Sequence, residues 1–186
     1  MALQIDDGKG RGYRAAVTNE NLLQTNSVTI SLDLHSNLVH QESYSILYAK
    51  TPTGAGDCFL YVKNNDDSDL TISTIKFRSA SAESVQVKFN DVVTTLVGTT
   101  VNTPVNRNAR SGHLANITCY DGNDITGLSG GTVVDQLFVG TGNQTTFFSW
   151  DSCLILPKSS VLTLYAVTGG VALNMTVSCY FEPPWE

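Results

Sequence analysis

Cationic charge is what this chain has least of. From Ser111 to Glu186 a single basic side chain, Lys158, stands against Asp121, Asp124, Asp135, Asp151, Glu182 and Glu186. The whole chain holds 11 Lys and Arg against 17 Asp and Glu, a formal net charge of −6. Nucleic-acid binders need clustered cations to displace the counterions condensed on phosphate. Only the short group Lys9, Arg11 and Arg14 approaches that, so no direct nucleic-acid binding is expected. Charged residues of both signs make up 15% of the chain, a low share for a solvated surface. Cysteine is sparse and scattered: Cys58, Cys119, Cys153 and Cys179 form no CxxC and have no His at ligand spacing, which argues against a metal site. The start Met-Ala-Leu-Gln-Ile-Asp-Asp has no charged-then-apolar leader. Small buried thiols are therefore expected rather than two disulfides, and the sequons at Asn116, Asn143 and Asn174 carry little weight. Long apolar runs are also missing. The uncharged stretch from Ser159 to Phe181 could span a bilayer by length, but Thr, Ser, Asn and Gly169-Gly170 interrupt it, so it reads as two strands and not a membrane helix.

What the chain does have is β-branched residues and turn formers. Its 186 residues include 18 Val and 21 Thr against 11 Ala, with 15 Gly. Val and Thr lose rotamer freedom in helices and fit a pleated surface, while Gly, Asn and Asp supply turns. Such a length suits one domain with its own core. The first dozen residues, through Asp6-Asp7-Gly8-Lys9-Gly10-Arg11-Gly12, are polar and Gly-rich and read as a flexible arm, 1–12, ahead of a single domain, 13–186. An irregular extended stretch from Tyr13 to about Leu34 follows, with Val28, Ile30 and Leu32 on one face. Strands are expected at Tyr44–Tyr48, Cys58–Lys63, Leu70–Arg78, Val85–Phe89, Val92–Val97, Val133–Val139, Thr145–Trp150 and Cys153–Leu156. The pair Asn90-Asp91 looks like the turn of a short hairpin. From about Gly98 to Ile125 periodicity is weak, which suggests a long excursion. A last hairpin is expected around Thr168-Gly169-Gly170, where Leu162, Leu164 and Ala166 precede the turn and Val171, Leu173, Met175, Val177, Cys179 and Phe181 follow at every second position. No helical period of 10 to 15 residues separates the strands, which excludes a parallel βαβ plan. The expectation is an all-β, antiparallel two-sheet sandwich, jelly-roll-like.

Chemistry is harder to place. His35 and His40 lie five apart in a polar stretch, which is not HExxH spacing. His113 follows Ser111-Gly112, but there is no GxSxG elbow and no carboxylate to orient it. Gly8-Lys9-Gly10-Arg11-Gly12 lacks the preceding strand and the Gly-Lys-Ser/Thr close of a phosphate loop. Asp66-Asp67-Ser68-Asp69 runs straight into Leu70 without the Gly and Glu of a calcium loop, so a solvated turn is expected. Asp6 with Asp7, or Asp121 with Asp124, could pair as acid and base, but no aromatic groove is legible. Thr145-Thr146-Phe147-Phe148-Ser149-Trp150 puts aromatics on both faces of one strand; half-buried core is the leading reading, with an exposed aromatic contact for a neighbouring subunit or a sugar as the alternative. The low charge of the C-terminal half, with Phe147, Phe148, Trp150 and the closing Pro183-Pro184-Trp185, fits a subunit interface better than a solvated monomer. No catalytic residue, cofactor or metal is assigned.

Three blocks of sequence resemble small virion proteins of tailed bacteriophages. They are Leu3-Gln4-Ile5-Asp6-Asp7-Gly8 with Gly10; Cys58-Phe59-Leu60-Tyr61-Val62-Lys63-Asn64-Asn65 with Asp69-Leu70-Thr71-Ile72; and Leu154-Ile155-Leu156-Pro157-Lys158-Ser159-Ser160 with the close at Cys179-Tyr180-Phe181. The resemblance implies a head-decoration (cement) protein, a β-sandwich subunit that sits as a homotrimer on the capsid surface, made in the host bacterial cytoplasm. Its implied partners are the major capsid protein and itself, with no catalytic residues. On that expectation the contact candidates are Lys9, Arg11, Tyr13 and Arg14 of the arm, Phe147, Phe148 and Trp150, and Trp185. Two other readings remain: a tail-fibre or head-fibre adhesin binding a host glycan or receptor through loops such as Asn102–Gly130, and a β-sandwich hydrolase.

Overall fold

Period-two alternation shapes several of the observed strands. Along Leu173–Phe181, Leu173, Met175, Val177, Cys179 and Phe181 are buried while Asn174 is exposed and Thr176 is half-buried. The computed structural model describes residues 16–17, 23–24, 31–140 and 145–181, with side chains described for 31–140, 145–149 and 154–181. Two units separate, Met1–Ser31 and Leu32–Glu186. Within the first, β1 (Ala16–Val17) pairs antiparallel with β2 (Leu23–Gln24). The expected arm, 1–12, and the face carrying Val28 and Ile30 lie outside the described residues.

The second unit opens with a helical turn α1 (Leu32–His35) that widens into a π-turn over Ser36–His40. An extended chain was expected as far as Leu34. The turn is instead held by Asp33, whose carboxylate accepts hydrogen bonds from Ser43 Oγ at 2.7 Å and Arg107, and it ends at Gln41 in the left-handed region (φ 61°). The strands then run β3 (Ser43–Lys50), β4 (Cys58–Asn64), β5 (Leu70–Ser79), β6 (Glu83–Phe89), β7 (Val92–Val97), β8 (Thr100–Val101), β9 (Val105–Asn106), β10 (Ile117–Ser129), β11 (Thr132–Val139), β12 (Thr145–Leu156), β13 (Val161–Ala166) and β14 (Leu173–Phe181). One sheet has the order β12-β5-β14-β3-β9; the other has β11-β6-β13-β4-β10-β7, with β8 also on β10. The pairings are antiparallel.

Setting aside β7–β10, eight strands remain, and the chain changes sheet at each connection except β6 to β11. The orders β12-β5-β14-β3 and β11-β6-β13-β4 are those of two nested Greek keys, a jelly roll. Residues 90–131 form an insertion between β6 and β11 that extends the second sheet past β4. The main core lies between the sheets and includes Tyr44, Ile46, Phe59, Leu60, Ile75, Phe77, Val87, Leu162, Leu164 and Val177. Tyr61 points the other way from Leu60 and Val62, and there a second apolar cluster forms from Cys58, Tyr61, Ile125 and Val161, covered by Leu96 and Leu128 of the insertion.

Four expectations are corrected. First, β13 and β14 are strands but not a hairpin. β13 pairs β4 and β6, whereas β14 pairs β5 and β3, so 167–172 is an arch between sheets. Gly169 (φ 72°) is needed there because a Cβ would collide with the Gly54 carbonyl. Second, Asn90-Asp91 closes no hairpin. β6 pairs β11 and β13, and β7 pairs β10, because Asn90 turns left-handed (φ 58°) and the Asp91 carboxylate anchors the turn on Gly131 and β13. Third, the weakly periodic region holds the start of β10, a 13-residue strand that continues to Ser129. Its apolar signal is broken by Gly122 and Gly127, which pack against the backbone at Gly98 and Thr95 with no room for a Cβ. Fourth, the strands expected at Thr145–Trp150 and Cys153–Leu156 are one strand with a register shift between Ser149 and Leu154. Cys58, Cys119 and Cys179 are buried free thiols, as expected; the Cys153 side chain lies outside the described residues.

Candidate interaction surfaces

Three surfaces with exposed apolar or cationic side chains stand out on the second unit. At one edge, β7 reads Val-Val-Thr-Thr-Leu-Val and, among the described residues, pairs only β10. Leu96 turns inward to the second cluster, leaving Val92 and Val97 each 60% exposed, with Val93 beside them and Val101 of β8 nearby. At the opposite edge of the same sheet, β11 pairs only β6 among the described residues and exposes Val133, Val134 and Phe138. Strand edges in soluble monomers are usually blunted by Lys, Pro or bulges, because a free row of N–H and C=O groups templates further pairing. β7 carries neither Lys nor Pro, though its register against β10 shifts between Val93 and Val97.

The third surface is the outer face of the five-stranded sheet. Pairing aligns Leu47, Thr176, Lys76 and Phe147 in one row, and Ala49, Asn174, Arg78 and Thr145 in the next. On β5 the alternation is plain: Ile75 and Phe77 enter the core while Lys76 and Arg78 face outward. Phe147 is 56% exposed with the Lys76 ammonium 5.9 Å from its ring centre, whereas Phe148 turns inward against the core. Small side chains between Leu47 and Phe147 leave a shallow depression of about 390 Å³.

The residues weighed for catalysis are not brought together. His35 and His40 form an edge-to-face ring pair at 5.3 Å on the helical turn, not in a loop. Ser111 Oγ donates to Gln41 O at 3.4 Å and accepts the His113 backbone N–H at 3.0 Å, which is a loop cap. Asp121 is engaged by Lys50 and by Asn102 Nδ2 (2.9 Å), tying β10 to β3 across the sandwich, while Asp124 is exposed. Beside them, burial and then the Asp121 charge raise the Tyr48 hydroxyl above its ordinary pKa, and it donates to Gly122 O at 3.2 Å. The Asp66 carboxylate accepts from Ser68 N–H (2.9 Å) and Asn116 (3.2 Å), and those hydrogen bonds, the Ser68 backbone first, hold it below the usual carboxylate range. Asp67 pairs with Lys158. These acids serve a turn, and among the described residues no group of three or more His, Cys, Asp or Glu is placed to hold a metal ion.

Of the contact candidates taken from the sequence, Phe147 is displayed and Phe148 is core. Lys9, Arg11, Tyr13, Arg14 and Trp185, the Asp6-Asp7 pair, and the Trp150 side chain lie outside the described residues. Sequence reasoning missed Lys76, Arg78, the β7 valines and Phe138. The outward parity of Lys76 was visible along β5, but its place beside Phe147 depends on a pairing some 70 residues distant. Among the described residues no helix is long and apolar enough to cross a membrane. No protein-family model, curated protein or solved structure matches this chain, so no residue role is carried over from a relative.

Proposed function

We propose that this protein is a non-enzymatic structural subunit of a tailed-bacteriophage particle, which self-associates and binds the major capsid protein at the outer surface of the head. The observation that carries the reading is the uncharged β7 edge, with Val92, Val93 and Val97 exposed on a strand whose free side carries no Lys or Pro. Interfaces are enriched in apolar and aromatic side chains and depleted of Lys and Glu, and the exposed Val133, Val134 and Phe138 on β11 add a second surface of that kind. A subunit that binds the assembled shell and not its dissociated parts stabilises the shell by mass action. A homotrimer is the state the resemblance implies. A jelly roll hosts many functions, so the fold alone does not carry the proposal.

Sedimentation at micromolar concentration tests the self-association. The wild-type chain should exceed its 20.0 kDa monomer mass, and the double substitution Val93→Lys, Thr95→Lys should return it to monomer with an unchanged circular-dichroism spectrum. A wild-type monomer at all concentrations would refute the interface. Copy number in purified particles separates decoration from the adhesin reading: hundreds per particle support decoration, a few to tens at the tail refute it.

A further inference from the structure

We propose that the outer face of the five-stranded sheet is a binding site for an acidic polysaccharide, whose anionic groups pair with Lys76 and Arg78 while a sugar ring rests on Phe147. This site is separate from the β7 and β11 edges, so it stands or falls independently of the assembly role.

Charge is the first argument. In a chain of formal net charge −6, Lys76 and Arg78 stand two residues apart on one face of β5, with Cα atoms roughly 6.7 Å apart by strand geometry. Their two rows hold Leu47, Thr176, Phe147, Ala49, Asn174 and Thr145 and no carboxylate. Lys50, Arg107 and Lys158 each have an acidic partner, and among the described residues neither Lys76 nor Arg78 is in an ion pair. Two exposed cations side by side, with no ion-pair partner among the described residues, repel each other, and an anionic ligand relieves that repulsion. The Arg78 guanidinium can take a carboxylate or sulfate through two parallel N–H bonds.

Shape and side-chain chemistry select a sugar. Leu47 and Phe147 stand at the two ends of one four-strand row, roughly 14 Å apart at ordinary strand spacing, and the small Ala49, Thr176, Asn174 and Thr145 line the depression together with both cations, with Phe147 outside its lining. Thr hydroxyls and the Asn amide both donate and accept, which matches sugar hydroxyls. The exposed Phe147 ring offers an apolar surface for a sugar, with the Lys76 ammonium over the ring at 5.9 Å from its centre, so an anionic group drawn to Lys76 comes with its sugar to the ring. A nucleic acid would need a longer cationic track with several stacking rings, and an acidic peptide added to the β12 edge of this sheet would be held by main-chain hydrogen bonds and would not need the Phe147 ring.

The test uses the full chain titrated by calorimetry with polysialic acid and, separately, with hyaluronic acid, which distinguishes a sialate from a uronate as the source of the carboxylate. Binding to at least one is expected, weakened by added salt. Arg78→Ala and Phe147→Ala should each weaken it about tenfold, the loss of one charge-assisted contact or one stacked ring, while Lys158→Ala, removing the exposed cation paired with Asp67, leaves it unchanged. Thermal unfolding of each variant confirms that it is folded. Failure to bind either polymer, binding to poly-glutamate or oligo(dT) of equal strength, or full binding by Phe147→Ala would overturn the proposal.

Discussion

Glu83 is the side chain on which the arch between the two sheets hangs. It is 3% exposed at the start of β6, and its carboxylate accepts three backbone N–H groups: Thr168 at 2.8 Å and Ser84 at 2.9 Å on Oε1, and Gly169 at 2.9 Å on Oε2. A carboxylate is acceptor-only, which is what three converging donors require. Glu83→Gln keeps the volume and one acceptor oxygen but turns an amide NH₂ toward one of those donors. One charge-assisted bond is then lost and one N–H left facing a donor, about 2 kcal/mol at this half-exposed turn. Glu83→Ala removes all three acceptors and should cost about 3–4 kcal/mol. For a chain of this size, a loss of 2 kcal/mol lowers the melting temperature by roughly 4–8 °C. Thermal unfolding followed by circular dichroism, with urea titration alongside, measures both variants. If Gln melted within a degree of wild type, or Ala fared no worse than Gln, the carboxylate would not be what holds the arch.

Two further outcomes follow from other buried groups. Asp91 is 5% exposed and accepts Gly131 N–H at 2.8 Å on one oxygen and the hydroxyls of Thr163 and Tyr165 on the other; Asp91→Ala should cost about 3 kcal/mol in urea unfolding by leaving buried donors unpaired, and a loss under about 0.5 kcal/mol would be that of an ordinary surface site and would refute it. Burial first, with the nearby carboxylates of Asp91 and Asp33 respectively, pushes the thiols of Cys58 and Cys179 up to about 12 from an ordinary 9.0. Because the folded state holds these protons more tightly than the unfolded one, the stability they contribute is complete below pH 9 and is lost as pH rises toward 12. Urea unfolding at pH 10.5 should therefore show a loss on the order of 2 kcal/mol for each thiol relative to pH 8, and equal stability at the two pH values would contradict their burial.

Strand identity was largely legible: β5 and β14 because a half-buried strand must alternate and its apolar members reach the core by parity, and β4, buried on both faces, as a short run of aliphatic and aromatic residues. β10 was hidden for a physical reason. Its glycines meet the backbone at Gly98 and Thr95 too closely for any side chain, so the requirement comes from a neighbouring segment and the strand's own pattern reads as loop. That Phe147 and Phe148 face opposite sides of their strand was legible, since adjacent strand residues do; that one of them is exposed was not. Which one faced outward depended on which neighbour strand β12 joined.

By itself, then, the order of residues determined the all-β class, the turn positions and the inward face of most strands, since these depend on side-chain period and local dihedral preference. It did not determine partners. The Thr168-Gly169-Gly170 turn serves a hairpin and an arch equally well. Only the tertiary structure decided for the arch, through Glu83, Gly54 and Pro52 gripping the turn from segments more than 80 residues away. The same is true of the outer face that gathers Lys76, Arg78 and Phe147, because pairing across a sheet is a long-range choice made by the packing of the whole core.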